Sequence, residues 1–135
     1  MNKIILHIDG GCSGNKQKNY HKRSIISVVT DINGNVLIEK TEKGGSNNIA
    51  EFIALKEAVK YCVNHKIKQV EIITDSQNNI NWLKRLKKKK QNNYELVAEI
   101  REEIVELSKF VDVDLIWKPR EENIAGRYIE NKYNL

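Results

Sequence analysis

The chain has 135 residues, of which 40% are hydrophobic and 30% charged, with a single proline, and this composition excludes a disordered or collagen-like chain. We expect one globular domain over residues 1–135. Two cysteines without zinc-type spacing disfavour a disulfide scaffold and a structural zinc site. The sequence has no apolar run of ~20 residues, so we expect no membrane partner and a cytoplasmic location.

The excess of positive charge lies in one segment. The chain carries 23 Lys and Arg against 18 Asp and Glu, a net charge of +5. Six of these cations lie in Lys84–Lys90, and without that segment 17 cations face 18 anions. A local basic patch can bind phosphates while the remaining surface stays neutral, although the same run is also typical of a solvated helix end.

The first half of the chain predicts three strands followed by a helix. Residues 3–9 form a β-branched-rich run, and a polar loop over 10–23 follows it. Residues 24–30 and 35–42 read as strands joined at Asn33-Gly34, a strong hairpin signal, so the first three strands form an antiparallel meander. Apolar residues then recur at helical spacing over 48–64, which predicts an amphipathic helix.

The second half alternates strands and helices. The predicted elements are a strand over 70–74, helices over 77–88 and 94–111, a strand over 112–118 ended by Pro119, and a helix over 122–132. The order βββαβααβα predicts an α/β fold with a five-stranded mixed sheet flanked by helices.

Acidic residues lie where this topology brings chain segments together. A helical crossover makes the fourth strand parallel to its neighbour, and if that neighbour is the first strand, the carboxyl ends of both strands share one edge. We interpret Asp9 and Asp75 as the last residues of these strands, with Glu51 one turn into the connecting helix. Three carboxylates without histidine or thiolate partners favour Mg²⁺ or Mn²⁺, and two ions about 4 Å apart suit phosphodiester hydrolysis.

Each of these acids also has a structural interpretation. Asp9 precedes two glycines and suits a turn, Asn48 and Glu51 match a capping box, and Asp75-Ser76 can cap the next helix. We favour a shared cation site because three converging carboxylates repel one another unless a cation lies between them.

Four sequence blocks resemble those of the type 1 ribonucleases H. In chain order they are Ile8-Asp9-Gly10-Gly11-Cys12-Ser13-Gly14-Asn15, Asn47-Asn48-Ile49-Ala50-Glu51, Ile73-Thr74-Asp75-Ser76-Gln77 and Pro119-Arg120-Glu121-Glu122-Asn123. The resemblance covers essentially the whole chain. It implies the ribonuclease H-like fold and a metal-dependent endonuclease that cuts the RNA strand of an RNA–DNA hybrid.

The resemblance also assigns roles to individual residues. Asp9, Glu51 and Asp75 match three of the family's four metal-binding carboxylates. Positions matching hybrid contacts in the minor groove are Gly11, Cys12, Ser13, Gly14, Asn15, Asn47, Asn48 and Gln77. We add Asn123 to the predicted substrate contacts. Short polar side chains and backbone groups of this kind can recognise the 2′-hydroxyl that distinguishes RNA from DNA.

The chain departs from the family at the fourth carboxylate. The usual motif runs Asn-x-x-Ala-Asp, so counting from Asn123 places Arg127 at the expected aspartate. Glu130 lies three residues further along the same predicted helix and faces nearly the same way. We expect Glu130 to act as the substitute catalytic residue and metal ligand; the alternative is a surface glutamate paired with Arg127.

Two further departures concern substrate binding. The loop before Asn123 lacks the histidine that many members carry, and we expect Arg120 to contact phosphate there. A basic helical protrusion of some bacterial members is also missing, and we expect the lysine run, including Lys87 and Lys88, to hold phosphates in its place. Trp82 then either stacks on substrate or packs in the core.

The sequence thus favours a monomeric ribonuclease H that uses two Mg²⁺ ions, with Mn²⁺ as a possible substitute, on RNA–DNA hybrids. One alternative is a catalytically impaired hybrid-binding module, suggested by Arg127. A second alternative is another nuclease of the same superfamily, which would lack the features at residues 11–15 and 47–48.

Overall fold

The structure, a computed structural model, describes residues 3–13, 23–84 and 94–133. The strands are β1 (Lys3–Ser13), β2 (Ser24–Thr30), β3 (Val36–Lys43), β4 (Gln69–Thr74) and β5 (Asp112–Trp117). The helices are α1 (Asn47–Asn64), α2 (Gln77–Lys84), α3 (Tyr94–Leu107) and α4 (Ile124–Tyr133), with a 3₁₀ turn at Arg120–Glu122. Among these helices, none is both long enough and apolar enough to span a membrane.

The five strands form one mixed sheet in the order β3-β2-β1-β4-β5. The β1–β2 and β2–β3 pairs are antiparallel, whereas β1–β4 and β4–β5 are parallel. The predicted meander, the parallel pairing of the fourth strand and the α/β fold class are therefore confirmed. One neighbour of β4 is β1, which is the condition under which Asp9 and Asp75 share an edge. Strand order follows the usual rule that parallel neighbours are joined through a helical crossover.

Strand β1 is longer than the sequence predicts. Its parallel pairing with β4 ends at His7, but its antiparallel pairing with β2 continues to Ser13. The expectation that Asp9 is the last residue of its strand is therefore wrong, because the β2 ladder continues through Gly10 and Gly11. Asp9 still lies just past the parallel β1–β4 pairing, and Asp75 directly follows β4, so both acids lie at the same edge.

Close packing of α1 on β1 depends on Gly10. A Cβ atom at this position would lie 2.2 Å from the backbone nitrogen of Glu51 and 2.4 Å from the carbonyl carbon of Ala50. The neighbouring strand adds a hydrogen bond, because the Ser27 hydroxyl donates to the Ala50 carbonyl at 2.7 Å. Only glycine permits this approach, which brings the helix carrying Glu51 onto the strand carrying Asp9.

The helices on the α1 side of the sheet enclose the main core. Trp82 of α2 contacts Phe52 of α1 edge to face, with ring centroids 5.3 Å apart. Trp82 is half-buried against this core, so the structure shows the packing alternative for its side chain. Helix α3 ends at Leu107, four residues before its predicted end, and buried Val111 lies in the turn that leads into β5. The predicted end of α2 lies outside the described residues.

Helix α4 is attached to the edge strand β3 through one carboxylate. Glu39 accepts hydrogen bonds from Tyr128 at 2.6 Å, from Lys132 at 2.8 Å and from Tyr133. Burial raises the pKa of Glu39, but these hydrogen bonds and the Lys132 charge outweigh it and lower the pKa to about 2. This attachment fixes the helix that carries Glu130.

Candidate metal and nucleic-acid site

Three carboxylates meet at the sheet edge. Asp9 of β1, Glu51 of α1 and Asp75 after β4 each offer an oxygen within 4.8 Å of the others. Asp9 is 1% exposed and Glu51 is 9% exposed, so two of the three acids lie almost out of contact with water. The structure therefore brings together the three acids for which the sequence predicts metal binding.

A serine side chain caps the N-terminus of each of the two helices that border this cluster. The hydroxyl of Ser46 caps α1, and that of Ser76 accepts a hydrogen bond from the backbone of Asn79 at the start of α2. The capping functions considered for Glu51 and Asp75 are thus supplied by other side chains. Both acids can therefore direct their carboxylates into the cluster.

The cluster is electrostatically costly. Burial raises the pKa of Asp9 to about 7, with the Asp75 charge adding to the rise and the Arg120 charge opposing it. Burial and then the Asp9 charge raise the pKa of Glu51 to about 8. Neither oxygen of Asp9 accepts a hydrogen bond of normal geometry from the described residues. Buried, unsatisfied carboxylate oxygens fit a hard divalent cation such as Mg²⁺ or Mn²⁺.

Asp75 is held in place by two polar side chains. The buried Asn123 amide donates to one Asp75 carboxylate oxygen and to the Ile8 carbonyl, both at 2.9 Å. The Trp117 indole donates to the Asp75 backbone carbonyl at 3.2 Å. The prediction that the Asn123 side chain contacts substrate is corrected here, because this residue is 0% exposed and its amide binds β1 and Asp75.

Arg120 points into the acidic cluster. Its Nη1 atom lies 2.7 Å from Oδ1 of Asp9 and 3.2 Å from Oδ2 of Asp75, and its Nε donates to Glu130 at 2.9 Å. The contact with Asp9 is an ion pair without a hydrogen bond of normal geometry. The sequence predicts a phosphate contact for Arg120, whereas in the structure its guanidinium binds carboxylates.

Glu130 lies beside the cluster without joining it. Among the described residues, the carboxylate oxygens that lie close enough to share a metal ion come from Asp9, Glu51 and Asp75. Glu130 is connected to this cluster by its ion pair with Arg120. Arg127 is exposed, and the ion pair of Glu130 is with Arg120, ten residues before it. The function of Glu130 as the fourth metal ligand stays a prediction.

The other predicted substrate residues lie at the starts of helices, lie buried in β1, or have side chains outside the described part of the structure. Asn47 and Gln77 are exposed in the first turns of α1 and α2, and Asn48 is half-buried, with its carbonyl accepting from the Asn79 amide at 3.1 Å. Gly11 and Cys12 are buried in β1. Cys12 packs in the main core and is 1% exposed, so its side chain is not positioned to contact a ligand.

The remaining predicted contacts are not described. Ser13 ends β1, but only its backbone is described. Gly14, Asn15, Lys87 and Lys88 lie outside the described residues, so their predicted contacts with substrate stay predictions.

Sequence reasoning missed Trp117 as a site residue. It is 48% exposed at the end of β5, directly opposite Thr74 in the parallel register, which places its indole beside Asp75. The available signal was an aromatic residue at the end of the strand next to β4.

Comparisons with known proteins agree on the fold. The family described as reverse transcriptase-like matches residues 8–129. The RNase H1 of the halophilic archaeon Halobacterium salinarum is 21% identical, with a TM-score of 0.71 over 98% of this chain and 99% of that one. LC11-RNase H1, isolated from compost by a metagenomic approach, is 29% identical, with a TM-score of 0.67 over 96% and 93% of the two chains.

A structure of LC11-RNase H1 in complex with an RNA/DNA hybrid also matches, at 26% identity and a TM-score of 0.62 over 89% of this chain and 88% of that one. A comparison with curated proteins finds no match.

The strand order and the acidic cluster define a ribonuclease H-like protein. The chain belongs to the reverse transcriptase-like family, whose match extends over most of its length. The fold and the cluster support a nuclease of the ribonuclease H superfamily that uses a divalent metal ion.

Proposed function

We propose that this protein is a metal-dependent endonuclease that hydrolyses the RNA strand of RNA–DNA hybrids. The observation that carries the proposal is the convergence of Asp9, Glu51 and Asp75 at the edge of a ribonuclease H-like sheet. Three buried or half-buried carboxylates within 4.8 Å are the oxygen ligands that a divalent ion prefers, and their mutual repulsion is relieved when such an ion binds. The donor set therefore supports metal dependence.

Some residues of the site would bind the metal, and others position the residues that bind it. Asp9, Glu51 and Asp75 would hold divalent ions, which supply an activated water and stabilise the leaving oxygen. Asn123 orients Asp75 through its amide, and Trp117 fixes the backbone at the same residue. In the two-ion form of this chemistry, Glu130 is the proposed fourth ligand.

The proposed substrate rests on the polar surface next to the cluster. The exposed side chains of Asn47 and Gln77 lie in the first turns of the two helices that border the acids. Amide groups there can hydrogen-bond to sugar and base edges in the minor groove, where the 2′-hydroxyl distinguishes RNA. The hybrid-bound structure of LC11-RNase H1, 26% identical to this chain, supports the same class of substrate.

A cleavage assay tests the proposal. Labelled RNA–DNA hybrid, double-stranded RNA and double-stranded DNA are incubated with the protein in Mg²⁺ or Mn²⁺, beside Asp9→Asn as the matched control. We expect cleavage of the hybrid's RNA strand alone and its loss in Asp9→Asn. Absence of hybrid cleavage in both metals contradicts the proposal, as does equal cleavage by the variant, which would indicate a contaminating nuclease.

A second candidate is a hybrid-binding module with impaired catalysis. Two features favour it: the position of the fourth carboxylate is occupied by Arg127 and so offers no acid, and the Arg120 guanidinium contacts two acids of the cluster. This candidate predicts tight hybrid binding without cleavage in either metal, so the same assay combined with a binding measurement separates it from the enzyme.

The proposed binding of phosphates by the lysine run is tested through salt dependence. Replacing Lys87–Lys90 with glutamine should weaken hybrid binding and flatten the slope of log affinity against log salt by roughly 0.7 to 0.9 for each phosphate that these lysines neutralise. An unchanged slope would show that the run is solvated and does not bind the substrate.

A further inference from the structure

The acidic cluster already contains a cation, the guanidinium of Arg120. One nitrogen, Nη1, contacts both Asp9 and Asp75, at 2.7 and 3.2 Å. A second nitrogen, Nε, donates to Glu130 at 2.9 Å. An arginine stays charged at any physiological pH, so it cannot leave this pair of acids by losing its proton. Arg120 therefore offsets part of the repulsion between Asp9 and Asp75.

A glycine on α4 leaves space for the Arg120 guanidinium in the acidic cluster. Residue 126 is glycine, and a Cβ atom there would lie 3.1 Å from Cζ and Nη1 of Arg120 and 3.2 Å from its Nε. These separations are tighter than ordinary van der Waals contact, so an alanine would press on the guanidinium. Gly126 and Glu130 lie on the same helix, where one leaves space for Arg120 and the other accepts its hydrogen bond.

Arg120 contacts one oxygen of each of two acids that form the candidate metal cluster. Oδ1 of Asp9 and Oδ2 of Asp75 both point at its Nη1 atom. The third acid, Glu51, is 9% exposed and lies in the same cluster. A divalent ion held by both aspartates would lie close to the guanidinium, and the repulsion between the two cations opposes metal binding while Arg120 keeps these contacts.

We infer that Arg120 is a built-in counter-cation that competes with divalent metal for Asp9 and Asp75 and thereby sets the metal affinity of the site. The inference rests on the proposed use of metal and names the residue that regulates it. The Arg120 side chain is 39% exposed, so it has an open route to solvent. When the guanidinium leaves, Glu130 loses its partner and becomes available as a ligand.

Metal titration of the 135-residue protein without nucleic acid tests this inference. Isothermal calorimetry with Mn²⁺, and then Mg²⁺, compares wild type with Arg120→Ala, Gly126→Ala and Arg127→Ala. Removing a charge-assisted interaction with each aspartate should tighten metal binding by roughly tenfold to a hundredfold in Arg120→Ala. Arg127→Ala, which removes the same charge from an exposed position on α4, should change the affinity less than about twofold.

Gly126→Ala separates local competition from overall charge. It retains Arg120 but crowds its guanidinium, so it should also tighten metal binding, by less than Arg120→Ala does. Melting temperatures with and without Mn²⁺ provide a second readout, with the metal-induced rise larger in both variants than in wild type. If Arg120→Ala does not fold, the Gly126→Ala comparison decides the question alone.

Two results would overturn the inference. One is unchanged or weaker metal binding in the folded Arg120→Ala and Gly126→Ala proteins, and the other is an equal gain in Arg127→Ala. The nuclease proposal fails separately: tighter binding in Arg120→Ala with no hybrid cleavage by wild type supports the competition and contradicts the enzyme. Hybrid cleavage by wild type, together with an unchanged metal affinity in Arg120→Ala, supports the enzyme and contradicts the competition.

Discussion

The buried amide of Asn123 links β1, Asp75 and the start of α4, so its removal should destabilise the fold measurably. Its Nδ2 atom donates to the Ile8 carbonyl and to the Asp75 carboxylate at 2.9 Å, and its Oδ1 accepts from the Gly126 backbone at 3.3 Å. Neutral hydrogen bonds contribute about 1 kcal/mol each and one to a charged group about 2 kcal/mol. Asn123→Ala should therefore lower the free energy of unfolding by about 3 to 4 kcal/mol.

Urea unfolding of the metal-free protein, followed by circular dichroism, measures this change. Asn78→Ala, at an exposed position on α2, is the matched control and should stay within about 0.5 kcal/mol of wild type. Asn123→Asp keeps the size and the capping oxygen but directs a second carboxylate at Asp75, so it should cost at least as much as alanine. A loss below about 1 kcal/mol in Asn123→Ala would refute the reasoning.

Three further changes test the packing, the fourth ligand and the attachment of α4. Gly10→Ala should destabilise the protein by about 3 kcal/mol, because its Cβ would overlap the backbone of α1; thermal unfolding measures this, and a loss under about 1 kcal/mol would contradict the close approach. Glu130→Gln should slow hybrid hydrolysis by roughly tenfold to a hundredfold, whereas exposed Glu121→Gln should not, and equal rates in the two variants would exclude Glu130 from the reaction. Because the pKa of Glu39 is lowered to about 2 in the folded protein, its carboxylate stabilises the fold above the unfolded value near 4.5, and this contribution is lost as pH falls toward 2. The stability difference between wild type and Glu39→Gln should therefore shrink across that interval in urea titrations, and a difference independent of pH would show that the carboxylate is not responsible.

The fold was predictable because its signals are local. Hydrophobic periodicity and the Asn33-Gly34 turn define elements that need no knowledge of distant contacts. A helical crossover makes β4 parallel to its neighbour, but only the structure shows that this neighbour is β1, which brings Asp9 and Asp75 to one edge. The full length of β1 was not predictable, because two glycines read as a strand end and only the pairing with β2 shows otherwise.

The neighbours of the carboxylates were less predictable than the carboxylates themselves. Asn123 and Arg120 both lie in the segment between β5 and α4, whose path depends on a 3₁₀ turn that no periodicity indicates. Sequence reasoning placed both residues against substrate, since polar and basic residues near a nucleic-acid site suggest that function. The structure turns both inward, Asn123 onto β1 and Arg120 onto the acids.

Arg120 explains how the chain balances its acidic site. Its guanidinium contacts Asp9, Asp75 and Glu130, and Glu51 completes the cluster. These ion pairs make the metal-free fold less costly, because each one offsets part of the desolvation of the acids. The same contacts lower the free energy that a divalent ion can gain on binding, since the ion is repelled by a cation already present. Stability of the metal-free fold and affinity for metal are thus opposed through one side chain, so a substitution at Arg120 that tightens metal binding should also lower the melting temperature of the metal-free protein.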